Sequence, residues 1–200
     1  MTKLLLLSGG LDSTAVAAWT RPDHCLTIDY GQVAAEAELR AATEVARTLG
    51  LPATVIRVPA GAVGSGLMAP SGQTDVPEGI APEWWPFRNQ LLITLAAAWG
   101  VTRGVTELLL GTVATDGARH RDGTEEFRAS IDSLVSLQEG GIRVHAPAAT
   151  MDAAELLSVS GVPESVLAWT HSCHRANLPC TQCPGCVKRG ETLHAVAMLQ

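Results

Sequence analysis

The chain has 200 residues, 46% of them hydrophobic, and a formal net charge of −6 at pH 7; this suits one α/β domain with a small appendage, long enough to bury a substantial core. The acidic balance, with an isoelectric point near 5.5, argues against a surface built to hold nucleic-acid backbones, because that takes clustered Lys and Arg. No apolar stretch is long enough to cross a bilayer, and the N-terminus runs straight into a strand without a signal-peptide pattern, so a cytoplasmic protein acting on a small molecule is the expectation.

Leu4 to Leu7 reads as a strand buried on both faces, as parallel sheets require. It breaks into Ser8-Gly9-Gly10-Leu11-Asp12-Ser13-Thr14. The two glycines let the backbone fold tightly and expose N–H groups, while Ser13 and Thr14 bring hydroxyls to the start of a helix whose dipole favours an anion. Neither the Gly-Lys-Ser/Thr of a Walker loop nor a Gly-x-Gly-x-x-Gly fingerprint is present. The loop helix should end near Arg21-Pro22-Asp23, and Cys25 to Asp29 predicts a second strand that leaves through Tyr30-Gly31-Gln32. From Ala34 to Leu49 the apolar positions Ala35, Leu39, Ala42, Ala46 and Leu49 fall at helical spacing, and Gly50 stops the helix. With Ala53 to Val58 as a third strand, the first sixty residues form two βαβ units and a parallel sheet with right-handed crossovers.

Residues 59–86 dissolve into Gly, Pro, Ser and Ala, a connection long enough to be a lid or binding loop. Trp84 and Trp85 close it, and packing against the domain surface is favoured for them over stacking on a ligand. Asn89 to Val101 predicts a helix, Glu107 to Gly111 a fourth strand, and Thr112 to Arg121 a polar, ligand-binding loop. Glu125 to Glu139 is amphipathic, with Phe127, Ile131, Leu134 and Val135 or Gln138 on one side. Ile142 to His145 is a candidate fifth strand, Asp152 caps a short helix to Ser160, and a last helix runs to Leu199.

Four of the five cysteines, Cys173, Cys180, Cys183 and Cys186, follow Cys-x6-Cys-x2-Cys-x2-Cys. That spacing can close four thiolates around one tetrahedral ion and leaves no open position for water, so a structural zinc is favoured, with an iron–sulfur cluster as the rival. Cys25 lies in a predicted strand and reads as a small buried residue, while His171 and His174 flank the first ligand.

Ser8 to Thr14 resembles the PP-loop of the ATP pyrophosphatases, which cleave ATP between its α- and β-phosphates and hand AMP to an acceptor oxygen. PP-loop and four-cysteine knuckle together make the chain similar, nearly end to end, to the 7-cyano-7-deazaguanine synthases of queuosine-precursor biosynthesis. Asp29-Tyr30-Gly31-Gln32 matches that family's second-strand signature and Phe87-Arg88-Asn89 its Arg-Asn helix start. Gly111, Asp116, Asp122, Glu126 and Phe127 keep the spacing of its Gly-x4-Asp-x5-Asp-x3-Glu-Phe loop, and Trp169 with Ser172-Cys173 resembles the approach to its first zinc ligand.

The resemblance implies a PP-loop (adenine nucleotide alpha hydrolase-like) α/β domain over residues 1–150 and a helical, zinc-binding region over 151–200. It implies a carbon–nitrogen ligase that adenylates the carboxylate of 7-carboxy-7-deazaguanine, lets ammonia displace AMP to give the amide, and activates that amide with a second ATP to give the nitrile. Ser8, Asp12, Ser13 and Arg88 would serve the chemistry. Leu7, Ser8, Gly9, Gly10, Leu11, Asp12, Ser13 and Thr14 would meet the nucleotide, together with Asp29, Tyr30, Gly31 and Gln32. Arg88, Asn89, Asp116, Asp122, Glu126 and Phe127 would face the substrate. ATP, Mg2+ with Asp12 as a metal partner, Zn2+ and a homodimer complete the expectation.

The chain departs from the family pattern in three places. Val33-Ala34-Ala35 stands where basic residues are usual, Gly123-Thr124-Glu125 where an Arg is usual, and Ala153-Ala154 follow Asp152 where a Lys is usual. Arg119, His120 and Arg121 are candidates to replace those cations. Two other readings follow from the departures: a divergent paralogue using the same acyl-adenylate chemistry on another acid or amine, and a nucleotide-binding subunit without turnover.

Overall fold

Strands β1 (Thr2–Leu6), β2 (His24–Asp29), β3 (Ala53–Arg57), β4 (Val105–Leu109) and β5 (Arg143–His145) pair in parallel throughout, in the order β3-β2-β1-β4-β5. The computed structural model describes residues 1–70 and 76–198. From β1 the chain steps outward to β2 and β3, then returns to lay β4 against the other side of β1. A sheet that reverses its winding in this way opens a crevice at the carboxyl ends of the two strands flanking the reversal.

Alternate residues of β1 feed two cores. Leu4 joins Leu26, Ile28 and Leu108 on one face, under Ile93 and Ala96 of α3 (Arg88–Val101) and Ile131 and Val135 of α4 (Glu125–Ser136). Leu5 and Leu7 face the other way with Cys25 and Leu109, under α1 (Leu11–Thr20), α2 (Ala35–Leu49), α5 (Ala153–Ser160) and α6 (Glu164–Leu167). Cys25 is thus a core residue. Covering both faces is what lets the strands be apolar without alternation.

Several element boundaries differ from the sequence expectation for physical reasons. β4 begins at Val105, directly after a Gly104 turn at φ +71, and ends before Gly111, which leaves the ladder to approach α1. The buried stripe of α2 is Ala37, Ala41, Ala42, Val45 and Ala46, a narrow alanine face that permits close approach to β1's exit loop. In α4, Ile131 and Val135 are buried but Leu134 is half exposed. Asp152 caps α5 as expected, accepting from Glu155 N at 2.8 Å. α6 is an additional short helix, and α7 (Pro184–Ala197) starts inside the cysteine run, before Cys186. The expected end of the last helix at Leu199 lies outside the described residues.

The long connection after β3 is mostly anchored where it is described. Met68 and Ala69 join the first core. Trp85 is buried, packs edge-on against Tyr30 with ring centroids 4.9 Å apart, and roofs Gly64, where a Cβ would fall 2.7 Å from the indole. Packing, not display, is its role in this structure. No described helix is long and apolar enough to cross a membrane.

Candidate active site and metal centre

A cleft of about 330 Å³ lies where the winding reverses, lined by the exits of β1, β2 and β4, by the start of α1 and α3, and by α7. β1 leaves the sheet through Leu7 to Gly10 and enters α1 at Leu11. Gly9 has φ +78, and a Cβ there would meet Ala41 Cβ at 2.7 Å and Glu38 O at 2.8 Å, so only glycine lets the loop tuck against α2. Gly10 caps α1 without a side chain, which leaves the first-turn N–H groups and the positive helix end available to an anion. Ser8 Oγ lies 3.0 Å from Ser13 Oγ and accepts from Gly10 N at 3.3 Å. Thr14 Oγ1 is buried without a hydrogen-bond partner among the described residues.

At the mouth of this loop sits a cation that the sequence pattern does not single out. Lys188 Nζ, from α7, donates to Asp12 Oδ2 at 2.8 Å and to Asp116 Oδ1 at 3.1 Å. Asp116 is aimed by its second oxygen, which accepts from Val113 N at 3.1 Å. Burial pushes the Asp12 carboxyl above the ordinary aspartate range, with the Lys188 ammonium working against that shift without cancelling it. Burial also disfavours the Lys188 ammonium, but Asp12 and Asp116 outweigh it and raise its pKa. Lys188 therefore stays charged.

A second group of residues lines the cleft beside β2. Gln32 is buried; its Oε1 accepts from Tyr30 N at 3.0 Å and its Nε2 donates to Glu38 Oε2 at 2.7 Å. Asp29 Oδ1 accepts from Gly31 N at 3.0 Å, so the Asp-Tyr-Gly-Gln run is a self-bonded turn that presents Tyr30 and Glu38. Burial pushes the Glu38 carboxyl up to about 7 against the opposing Gln32 hydrogen bond. Arg88 also lines the cleft, its Nη1 meeting the Met68 sulfur at 3.1 Å and its Nε the Asn89 Oδ1 at 3.5 Å, with the Tyr30 hydroxyl and the Glu38 carboxyl as neighbours.

Of the residues singled out by sequence, Leu7, Ser8, Gly10, Leu11, Asp12, Ser13, Tyr30, Arg88, Asn89 and Asp116 line the cleft. Gly9, Thr14, Asp29, Gly31 and Gln32 do not line it. Asp122 holds Asn89, accepting from its backbone N–H at 3.3 Å, while its own carbonyl takes the Asn89 amide at 3.2 Å. Phe127 packs on the first core and Glu126 is exposed. Arg119 and His120 are engaged by Glu83 Oε1, at 2.7 and 3.3 Å. Burial alone would raise the Glu83 carboxyl, but those two partners hold it down at about 2. They stitch the long connection to the loop after β4.

Behind the cleft, the Sγ atoms of Cys173, Cys180, Cys183 and Cys186 lie within 4.8 Å of one another. Cys180–Cys186 and Cys173–Cys183 are each 4.0 Å apart. Sulfurs about 2.3 Å from a tetrahedral Zn2+ stand roughly 3.8 Å apart, so the quartet is already near the size of such a site. Backbone N–H groups of Cys186 and His174 point at Cys183 Sγ, and that of Cys183 at Cys180 Sγ, an outer ring of donors that orients the sulfurs. The knuckle is bonded into the cleft. His171 N donates to Gly9 O at 2.9 Å. Asn177 Oδ1 accepts from Ala37 N at 3.0 Å, capping an α2 whose own N-cap is alanine. Gly185 lies against Ser172 O and His174, leaving no room for a side chain.

Comparison with known proteins agrees with this arrangement. The family model described as queuosine biosynthesis protein QueC matches residues 2–197. The chain is 31% identical to a 7-cyano-7-deazaguanine synthase of Pseudomonas fluorescens, over 98% of this chain and 92% of that protein. It is 32% identical to one of Thiobacillus denitrificans, over 98% and 94%, and 31% identical to one of Stenotrophomonas maltophilia, over 94% and 92%.

Proposed function

The chain belongs to the family of queuosine biosynthesis protein QueC, and from that premise we propose that it is a 7-cyano-7-deazaguanine synthase, an ATP-dependent carbon–nitrogen ligase. The observation that carries the reading is the open loop from Ser8 to Ser13 at the reversal of the sheet, with Asp12, Asp116 and Lys188 gathered at its mouth. ATP is cleaved at its α-phosphate by attack of the acid's carboxylate oxygen. Pyrophosphate leaves into the N–H groups of the loop and the first turn of α1, and AMP passes to the acyl oxygen. Ammonia then displaces AMP to give the amide. The amide oxygen takes a second adenylyl group, whose departure leaves the nitrile.

Asp12 and Asp116 would hold Mg2+, since they already enclose one cation, and that ion would neutralise phosphate charge during transfer. Arg88, a guanidinium lining the cleft, is offered to the substrate carboxylate, with Asn89 beside it and Asp122 fixing Asn89. Ser8 and Ser13 supply hydroxyls to the phosphates. Tyr30 and Glu38 form the wall on the β2 side. The four thiolates would hold Zn2+ as a closed, structural site. We assign nucleotide binding to residues 1–150 and the metal knuckle with its reach into the cleft to 151–200. A net charge of −6 accords with small-molecule substrates and not with nucleic acid; a cytoplasmic homodimer is part of the same proposal.

The test is mass spectrometry of products from ATP, ammonia and 7-carboxy-7-deazaguanine. The nitrile should form with two AMP and two pyrophosphate for each molecule. ADP and phosphate as products, or AMP release that the acid does not stimulate, would overturn the proposal.

A further inference from the structure

We propose that Lys188 is a catalytic residue of the adenylation step, the ammonium that receives the leaving pyrophosphate, and that before nucleotide binds it keeps Asp12 and Asp116 together. Three full cations line the cleft, Arg88, Lys188 and Arg189. Arg189 is occupied, with its guanidinium on Thr170 Oγ1 and Leu167 O. Arg88 lies on the β2 side with Tyr30, Glu38, Met68 and Asn89. Lys188 alone of the three meets a residue of the loop helix, through Asp12 in its first turn, and it lines the same cleft as Ser8, Gly10 and Ser13.

Its present partners are exchangeable. Two carboxylates around one ammonium leave the group net negative, a poor receptor for a triphosphate unless a further cation joins the carboxylates. An ammonium on a flexible four-carbon stem with three donors can then turn from carboxylate to phosphate oxygen, which a fixed guanidinium fork does less readily. The side chain is 39% exposed, so it has room to move. In the step itself the carboxylate oxygen forms a bond to the α-phosphorus and the bond to the oxygen bridging the α- and β-phosphates breaks. The electron pair stays on that bridging oxygen, and Lys188 donates a hydrogen bond to the pyrophosphate as its charge grows. No proton needs to leave the lysine.

This assignment takes its place in the reaction from the function proposed above and its place in the fold from the cleft geometry, and the two are tested separately. Inorganic pyrophosphate, with and without Mg2+, is the binding probe for wild type, Lys188→Met and Lys188→Arg, alongside steady-state AMP release and thermal unfolding. Lys188→Met should weaken pyrophosphate binding and lower kcat by about ten- to a hundredfold each, the worth of a charge-assisted hydrogen bond. The KM for the acid should change little, and Lys188→Arg should restore part of both losses. Unchanged pyrophosphate affinity in a folded Lys188→Met would overturn the proposal. So would a kcat kept at wild-type level with a lowered Mg2+ requirement, which would make the lysine a counter-ion only. The binding arm uses no acid, so failure of wild type to act on 7-carboxy-7-deazaguanine would count against the function and not against Lys188.

Discussion

Gly111, on the exit from β4, rests directly against Ser13 in the first turn of α1: a Cβ at position 111 would fall 2.8 Å from Ser13 Cα and 2.9 Å from Ser13 N. This contact sets how far the start of the loop helix stands from the sheet. Gly111→Ala is expected to cost about 1–3 kcal/mol of stability, as overpacking does, and to displace the first-turn N–H groups to which the proposed function assigns phosphate. Denaturant unfolding and nucleotide affinity should fall together. A variant that unfolds normally and binds ATP normally would show that the contact can relax at no cost.

Asp12→Asn keeps the size of the side chain while removing one of the two carboxylates on Lys188. AMP release should fall by about a hundredfold or more, since a charge-assisted partner is worth about 1.5–3 kcal/mol and a cation site is lost with it. The melting temperature should move little, because burial already opposes the Asp12 charge and Lys188 retains Asp116. Products resolved by chromatography check the first point and thermal unfolding the second.

Cys183 serves twice, as a thiolate of the quartet and as the N-cap of α7. Cys183→Ser keeps a capping oxygen but loses a soft ligand. Bound zinc, about one ion per chain in the intact protein, should drop sharply, and stability with it, because metal binding by these thiolates contributes to folding free energy. Elemental analysis with a thermal scan before and after chelation is the check; iron in place of zinc would reassign the centre.

Glu38 gives a pH dependence of definite sign. Its folded pKa is about 7 against an ordinary 4.5, so between those values the native chain keeps a proton that the unfolded chain has released. Stability from this group is therefore lost as pH rises from the unfolded value through the folded one. Glu38→Gln should be more stable than wild type, with a gain larger at about pH 8 than at about pH 5. Urea midpoints across that range would show it, and an equal gain at both ends would exclude titration of Glu38 as the cause.

Much of this architecture is local in the sequence, and so it was legible there. The Leu4–Thr14 run carries its own strand, turn and helix start, and the cysteine spacing carries its own coordination set. What stayed hidden depends on pairs far apart in the chain. Lys188 is separated from Asp12 by 176 positions and from Asp116 by 72, and nothing in Cys-Val-Lys-Arg says that the third residue faces a carboxylate. The cap on α2 comes from Asn177, 140 positions beyond Ala37. Spacing also says nothing of each residue's surroundings: Asp122 braces Asn89, Glu126 is exposed and Phe127 packs against the first core. Leu134 satisfied the helical period but lies on the flank that α4 leaves in solvent.

The hydrogen bond from His171 to the Gly9 carbonyl has a consequence for how the protein is made. Among the described residues strand pairing is complete once β5 has been synthesised, but the loop after β1 gains its backstop, and its cation, from residues translated after β5. At a translation rate of about 5–20 residues per second, the nascent sheet spends several seconds with an N-terminal loop that lacks Lys188 and the metal knuckle behind it. A ribosome-bound fragment ending after β5 has every strand of the described residues but an unfinished cleft, so a premature stop just beyond that point would leave the sheet without the residues that close the cleft.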